Sequence, residues 1–285
     1  MSSIVIVTDS DASLPADLAA KNGVHIVPIN VHFGERVFET GVDIDDVTLF
    51  EHIDRAGELP TTSAPTPGQF SAAFEAAVAD GAEHVVCICV SAEVSGTYNA
   101  ALNARDLVPG VEITVVDSKS ISMGQGMMVL EAADAAADGA SVDEILARIE
   151  SVRQRSVLYG GLETLKYLAM SGRVGQLAAG MASLLNIKPV LTLQEGKLDM
   201  LEKVRTRRKS WGRMIELVNE HLGGAPAERV AVAHVNALDS AHSFDEKLRS
   251  VVACSSETLF VEFSAGLSVH TGPGMIAVVA VAAED

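Results

Sequence analysis

The chain has 285 residues, of which 48% are hydrophobic and 21% charged, a balance that excludes wholesale disorder and suffices for two domains with their own cores. With 21 Lys and Arg against 38 Asp and Glu the net charge is −17, and such a surface repels a phosphate backbone, which excludes nucleic acid as the main partner. Three cysteines are too few for a disulfide framework, no apolar run reaches the ~18 residues of a membrane span, and the opening residues carry no basic leader, so a cytoplasmic protein is expected.

The first half alternates strand and helix. Ile4–Thr8 reads as a short strand closed by Asp9-Ser10-Asp11, and Pro15–Asn22 as a helix capped by Ser13 and stopped by Gly23. Val24–Val31 is a second strand, followed by a hairpin-like excursion at residues 32–37 and an amphipathic stretch over Asp45–Ala56. Pro67–Asp80 is a helix, His84–Val90 a strand, Ser95–Leu107 a helix, Val111–Val116 a strand and Gln125–Ala137 a helix. Cys87 and Cys89 alternate with apolar residues on one face of their strand and read as small buried side chains rather than a metal or redox pair. Strands separated by helices of this length indicate βαβ units and a mostly parallel, doubly wound sheet.

A helix over Ser141–Arg155 leads into a second α/β domain with a mixed sheet. It begins at Val157–Leu162 and contains a helical stretch around residues 165–185 and a strand pair at Pro189–Leu193 and Lys197–Val204. A helix over Lys209–His221 and strands at Arg229–His234, Thr258–Phe263 and Met275–Val281 complete it. The expected division is an N-terminal domain, 1–155, and a smaller C-terminal domain, 156–285. The charge divides at the same place, with 8 basic against 24 acidic residues before it and 13 against 14 after it. Six of the basic residues fall within Lys203–Arg213, either a solvated face or a docking patch for an acidic partner or an anionic membrane. Arg205, Arg207 and Arg208 are the expected exposed members.

Polar clusters at strand ends carry the candidate chemistry. Thr61-Thr62-Ser63-Ala64-Pro65-Thr66-Pro67 sets four hydroxyls between prolines ahead of a helix, where one would suffice as a cap. Ser91–Tyr98 follows a strand at the carboxyl edge of the parallel sheet and places Ser95 at a helix start, which is either a cap or an anion site. Asp9, Ser10, Asp117 and Ser118 occupy equivalent strand ends. His270-Thr271-Gly272-Pro273-Gly274 offers an imidazole in a Gly/Pro loop, and Ser171-Gly172-Arg173 an arginine among small residues. There is no phosphate-binding Gly-rich motif, no metal-ligand spacing and no nucleophile elbow, so neither a cofactor nor a metal is expected.

In order along residues 4 to about 280, these segments resemble the DegV family of fatty-acid-binding proteins. The matching pieces are Ile6-Val7-Thr8-Asp9-Ser10, Thr62-Ser63-Ala64-Pro65, Val94-Ser95-Gly96-Thr97-Tyr98, Val116-Asp117-Ser118, residues 165–173, residues 185–191, and His270-Thr271-Gly272-Pro273-Gly274. The family usually has Gln where Ala64 stands, which removes an amide contact. The resemblance implies two α/β domains holding one long-chain fatty acid, with the carboxylate on Thr62 and Ser95, His270 nearby, and the acyl chain in an apolar tunnel of the second domain. Ser63 and Arg173 join the ligand-binding set, and residues 177–185 and 268–276 are candidate tunnel lining. It further implies a carrier, not an enzyme, that presents the carboxylate to a fatty acid kinase, while the basic segment points to transient contact with a membrane surface. The alternative is a serine hydrolase or acyltransferase with Ser95 as nucleophile and His270 as base. A third reading is a regulatory protein docking through its basic segment.

Overall fold

The computed structural model describes residues 3–173 and 187–284, and they form two compact units, Met1–Asp45 with Pro60–Gln154, and Asp46–Leu59 with Arg155–Asp285. Residues 46–59 lie early in the chain yet fold with the second unit, which makes the two units nearly equal in length. The smaller second domain expected from the sequence is corrected accordingly.

In unit 1, β1 (Ile4–Asp9) leads through a 3-10 turn at Ser10–Ala12 to α1 (Ala16–Lys21). Ser13 does not cap α1; it closes the 3-10 turn in the left-handed region, and Pro15 stands at the N-cap. The apolar run 24–31 becomes two strands, β2 (His25–Val27) and β3 (Asn30–Phe33), because Pro28 has no N–H to continue a ladder. β3 turns through Gly34, φ +61, into β4 (Arg36–Glu39). β5 (Thr61–Ser63), α3 (Pro67–Ala79), β6 (His84–Cys89), α4 (Thr97–Arg105), β7 (Glu112–Asp117), α5 (Met123–Ala137) and α6 (Val142–Arg155) follow. α6 carries the chain over the boundary, its last residue, Arg155, counting with unit 2.

β2-β1-β6-β7 form an all-parallel sheet, and β4-β3-β5 a separate antiparallel one. The residues of β6 from Val85 to Cys89 are buried on both faces, the pattern of a central parallel strand covered by helices. Cys87 and Cys89 lie side by side there, Sγ to Sγ 3.7 Å, packed among Phe70, Phe74 and Ala101.

Unit 2 takes α2 (Asp46–Ala56) from the first half of the chain. Leu49, on its apolar face, is fully buried, and the Asn236 amide reaches the Asp46 carbonyl at 3.5 Å. The rest comprises β8 (Ser156–Gly161), α7 (Lys166–Met170), β9 (Lys188–Gln194), β10 (Lys197–Val204), α8 (Arg207–Leu222), β11 (Ala227–His234), α9 (Leu238–Arg249), β12 (Thr258–Glu262), α10 (Ala265–Thr271) and β13 (Ile276–Ala282). The six strands run β10-β9-β8-β13-β11-β12, with β11 and β12 parallel and the other pairs antiparallel. Trp211 meets Phe244 edge to face at 5.7 Å over the β13 residues Ile276 and Val278. Of the helical stretch read over residues 165–185, α7 is described, while the candidate lining 177–185 lies outside the described residues.

Two helices of unit 2 have no counterpart in the sequence reading. α9 starts at Ala237 without a capping side chain, and α10 is short but capped by Ser264, whose Oγ accepts the Leu267 N–H at 3.2 Å. His270 therefore sits in the last turn of α10 rather than in a Gly/Pro loop.

Candidate functional site

β2 lies on one side of β1 and β6 on the other, so the carboxyl ends of β1 and β6 flank the point where strand order reverses. Open parallel sheets bind ligands at this position. Asp9 ends β1 and is fully buried. Its Oδ2 accepts the Val90 N–H at 2.7 Å and the Gln125 amide at 3.2 Å, and its Oδ1 accepts the Asp11 N–H at 3.0 Å. The Gln125 NH2 also reaches Thr8 Oγ1 at 3.0 Å and the Ile88 carbonyl at 3.2 Å. Thr8 gives its own proton to that carbonyl, so oxygens needing a donor face Gln125 and its NH2 end must point at them. The Gln125 Oε1 is left buried without a partner among the described residues. Burial first, and the Asp11 charge second, push the Asp9 carboxyl up to about 8 against the pull of its N–H donors.

On the other side of β6, Asp117 ends β7 and its Oδ1 accepts the N–H groups of Ala92, at 3.2 Å, and Lys119, at 2.9 Å. The Ser91 N–H donates to the Ser120 carbonyl at 2.9 Å, and Glu93 N–H to Ser91 Oγ at 3.3 Å. Val94 and Ser95 N–H both donate to the Ser91 carbonyl, at 3.2 and 3.1 Å. Every N–H from Val90 to Ser95 is thus engaged, two of them by carboxyls from the neighbouring strands. Ser13, Lys119 and Ser122 line the same rim with positive φ, 53, 51 and 49, which costs energy in non-glycine residues and clusters where geometry is over-determined.

This tied turn delivers Ser95 to the start of α4. Ser95 Oγ lies 2.8 Å from Thr97 Oγ1 and accepts the Thr97 N–H at 3.3 Å. The N-cap residue, Gly96, has no side chain, so the positive end of α4 is left to Ser95 and Thr97. Ala64, the residue after β5, lies next to Gly96, within ordinary contact distance (3.8 Å) of where a Cβ would stand. The structure therefore brings the segment of Thr62 and Ser63 together with that of Ser95. Capping of α3 falls to Thr66, which forms a capping box with Gln69. Thr61, Thr62 and Ser63 are instead strand residues, with Thr62 half-buried opposite Val31 and Ser63 Oγ 2.8 Å from His32 Nε2.

His270 and Arg173 belong to unit 2. Burial, then the Arg173 charge, lowers the His270 imidazole to about 4, so it is neutral at pH 7. Arg173 is exposed and donates to the Ser171 carbonyl at 2.9 Å. Gly272 follows α10 at φ +78, where a Cβ would stand 2.2 Å from the Tyr167 ring, so that ring lies against a position only glycine can occupy. In the basic segment, Arg205, Arg207 and Arg208 are all exposed. Arg207 Nε is 2.6 Å from Glu163, which Lys188 also pairs, and Arg213 meets Glu202, Glu216 and Glu220. Burial opposes ionisation of Glu163, but the bonds from Lys188 and Arg207 hold its carboxyl below the usual range. Arg205 and Arg208 form no ion pair among the described residues.

Among the described residues no cluster of His, Cys, Asp and Glu could hold a metal ion, and no helix is long and apolar enough to cross a membrane. Hydroxyls and a helix start converge at a sheet's switch point, and Ser95 Oγ bonds a threonine hydroxyl rather than an imidazole. The class so defined is a two-unit α/β protein with hydroxyls gathered at the carboxyl edge of a parallel sheet in unit 1 and a mixed sheet in unit 2.

The sequence profile of the DegV family, described as "Uncharacterised protein, DegV family", matches residues 3–283. A DegV domain-containing protein of Streptomyces coelicolor is 37% identical, over 97% of both chains. Among solved structures, a DegV family protein of Thermus thermophilus described by its fatty acid binding superposes with a TM-score of 0.90 at 32% identity, covering 98% of this chain and 99% of that one. DegV of Bacillus subtilis, a fatty acid binding protein, gives 0.87 at 28%, covering 99% and 100%. A stearic acid-binding protein of Eubacterium ventriosum gives 0.87 at 28%, covering 99% and 98%. The chain belongs to the DegV family.

Proposed function

We propose that this protein binds a long-chain fatty acid, with Thr62 and Ser95 holding the carboxylate and Ser63, His270 and Arg173 as further contacts. The observation that carries the proposal is the place of the Ser95 hydroxyl at the start of α4 beside the switch point, with Ala64, which follows β5, next to Gly96. A carboxylate there gains charge-assisted hydrogen bonds and the helix dipole. The relatives described as fatty acid binding support the same ligand. The acyl chain is assigned to unit 2, where the candidate lining residues Ser268, Val269, Met275 and Ile276 are buried. Each CH2 removed from water contributes about 0.8 kcal/mol, so the tail dominates affinity and the head group sets orientation.

The role that fits a bound, oriented carboxylate is that of a cytoplasmic carrier presenting it to a fatty acid kinase. The exposed Arg205 and Arg208 would meet the membrane surface during loading. Thr62→Ala and Ser95→Ala each remove one hydrogen bond to a charged group, about 1.5–3 kcal/mol, or roughly 10- to 150-fold in affinity. Titration of both purified variants with oleate checks this, alongside mass spectrometry of lipid co-purified with the wild type. Wild-type affinity in both variants would return the two hydroxyls to local structure. Covalent capture of Ser95 by a fluorophosphonate would favour the hydrolase reading instead.

A further inference from the structure

Asp9 and Asp117 are not ligand contacts in the proposal above, yet both spend their carboxyls on the turn that carries Ser95. We infer that Asp9 and Asp117 are positioning residues for Ser95, clamping the Val90–Ser95 turn from the two strands that flank β6; this rests on the assignment of Ser95 to the fatty acid carboxylate.

The argument is one of hydrogen-bond accounting. A turn between a strand and a helix leaves N–H groups that the sheet ladder no longer pairs. Here Val90 N–H goes to Asp9 at 2.7 Å and Ala92 N–H to Asp117 at 3.2 Å, so alternate residues of the turn are held from opposite sides. The remaining bonds of the turn close on Ser91, whose own N–H is fixed by Ser120. Ser91 thus stands between the two clamped residues, and its carbonyl receives the Ser95 N–H at 3.1 Å. A displacement at either carboxyl is passed through Ser91 to Ser95. The Asp9 side is itself braced, because Gln125 reaches down from the first turn of α5 and leaves its own carbonyl unpaired to do so. Burying a carboxyl completely, beside the charge of Asp11 and facing Cys89, is costly. An apolar residue at the end of β1 would avoid that cost and fill the space, but could not accept the Val90 N–H. Holding the turn is the function that this burial serves.

The test is oleate titration of Asp9→Ala, Asp9→Asn and Asp117→Ala, each alone and combined with Ser95→Ala. The single Asp→Ala variants should weaken binding about five- to tenfold, and the same changes should have little effect once Ser95 is removed, the signature of residues acting through one another. Asp9→Asn, which keeps an oxygen for Val90, should recover part of the loss. Equal losses with and without Ser95 would overturn the assignment. Amide hydrogen exchange of ligand-free protein gives an independent arm, in which residues 91–97 should exchange faster in Asp117→Ala while 85–89 are unchanged. Unchanged exchange over 91–97 also overturns the clamp. If Asp9→Ala fails to fold, the half-buried Asp117 decides through both measurements. If Ser95→Ala binds like wild type, the carboxylate assignment falls, and the exchange result alone then judges the clamp.

Discussion

Asp9 in unit 1 and His270 in unit 2 are buried ionisable groups displaced in opposite directions, one pushed up to about 8 and the other down to about 4. In both, burial is the larger cause and a like charge the smaller, Asp11 for Asp9 and Arg173 for His270. Both are therefore uncharged at neutral pH. Their consequences for stability have opposite signs. Between about 4 and 8 the folded state keeps a proton on Asp9 that the unfolded chain has released, so stability falls as pH rises. Between about 4 and 6.5 the unfolded chain protonates His270 while the folded state does not, so stability rises with pH. Over the shared window the two slopes, each at most ~1.4 kcal/mol per pH unit, offset one another. A pH-insensitive stability here would therefore be a balance between the two units rather than an absence of buried charge chemistry.

The largest expected effect breaks the His270 side of the balance. Gly272→Ala forces a Cβ into the Tyr167 ring at a backbone angle unfavourable to alanine, and should destabilise the protein by more than about 4 kcal/mol in urea unfolding. Next, Asp9→Asn removes the longer window. Its stability should no longer decline between pH 6.5 and 8, and acidification from pH 6.5 to 4 should become destabilising through His270 alone. Smallest is His270→Gln, which removes the narrower window and leaves stability falling steadily from pH 4 to 8. Urea midpoints at half-unit intervals measure both, and parallel wild-type and Asp9→Asn profiles would show that Asp9 titrates at its ordinary value.

The parallel sheet of unit 1 was legible in the sequence because its strands are short β-branched runs ending at polar residues, and the hairpin of the mixed sheet of unit 2 was legible as the apolar strand pair at Pro189–Leu193 and Lys197–Val204. Site legibility was uneven. Ser95 and Thr62 stood out as hydroxyls beside a strand end and between prolines, and Asp9 and Asp117 as strand ends. Their bonds were not readable, since the one from Asp9 to Val90 spans 81 residues and depends on the register of β1 against β6. β5 escaped because three polar residues between prolines carry no alternating pattern. α10 escaped because seven residues ending at Gly272 give too little periodicity to register. The amphipathic face of α2 was visible, but periodicity says that a face is buried and not by which part of the chain.

The lending of residues 46–59 to unit 2 also constrains how the molecule is made. Synthesis delivers α2 about a hundred residues before the chain that it packs with. An 11-residue helix is too short to persist alone in water, so this segment stays unstructured on the ribosome until residues 155–285 emerge. A fragment ending at Gln154 would hold all of unit 1 yet carry a loose loop displaying Leu49 and its neighbours, a ready site for proteases and chaperones. Joining Asp45 to Pro60 through a short glycine linker, in a chain ending at Gln154, is accordingly the way to obtain unit 1 by itself.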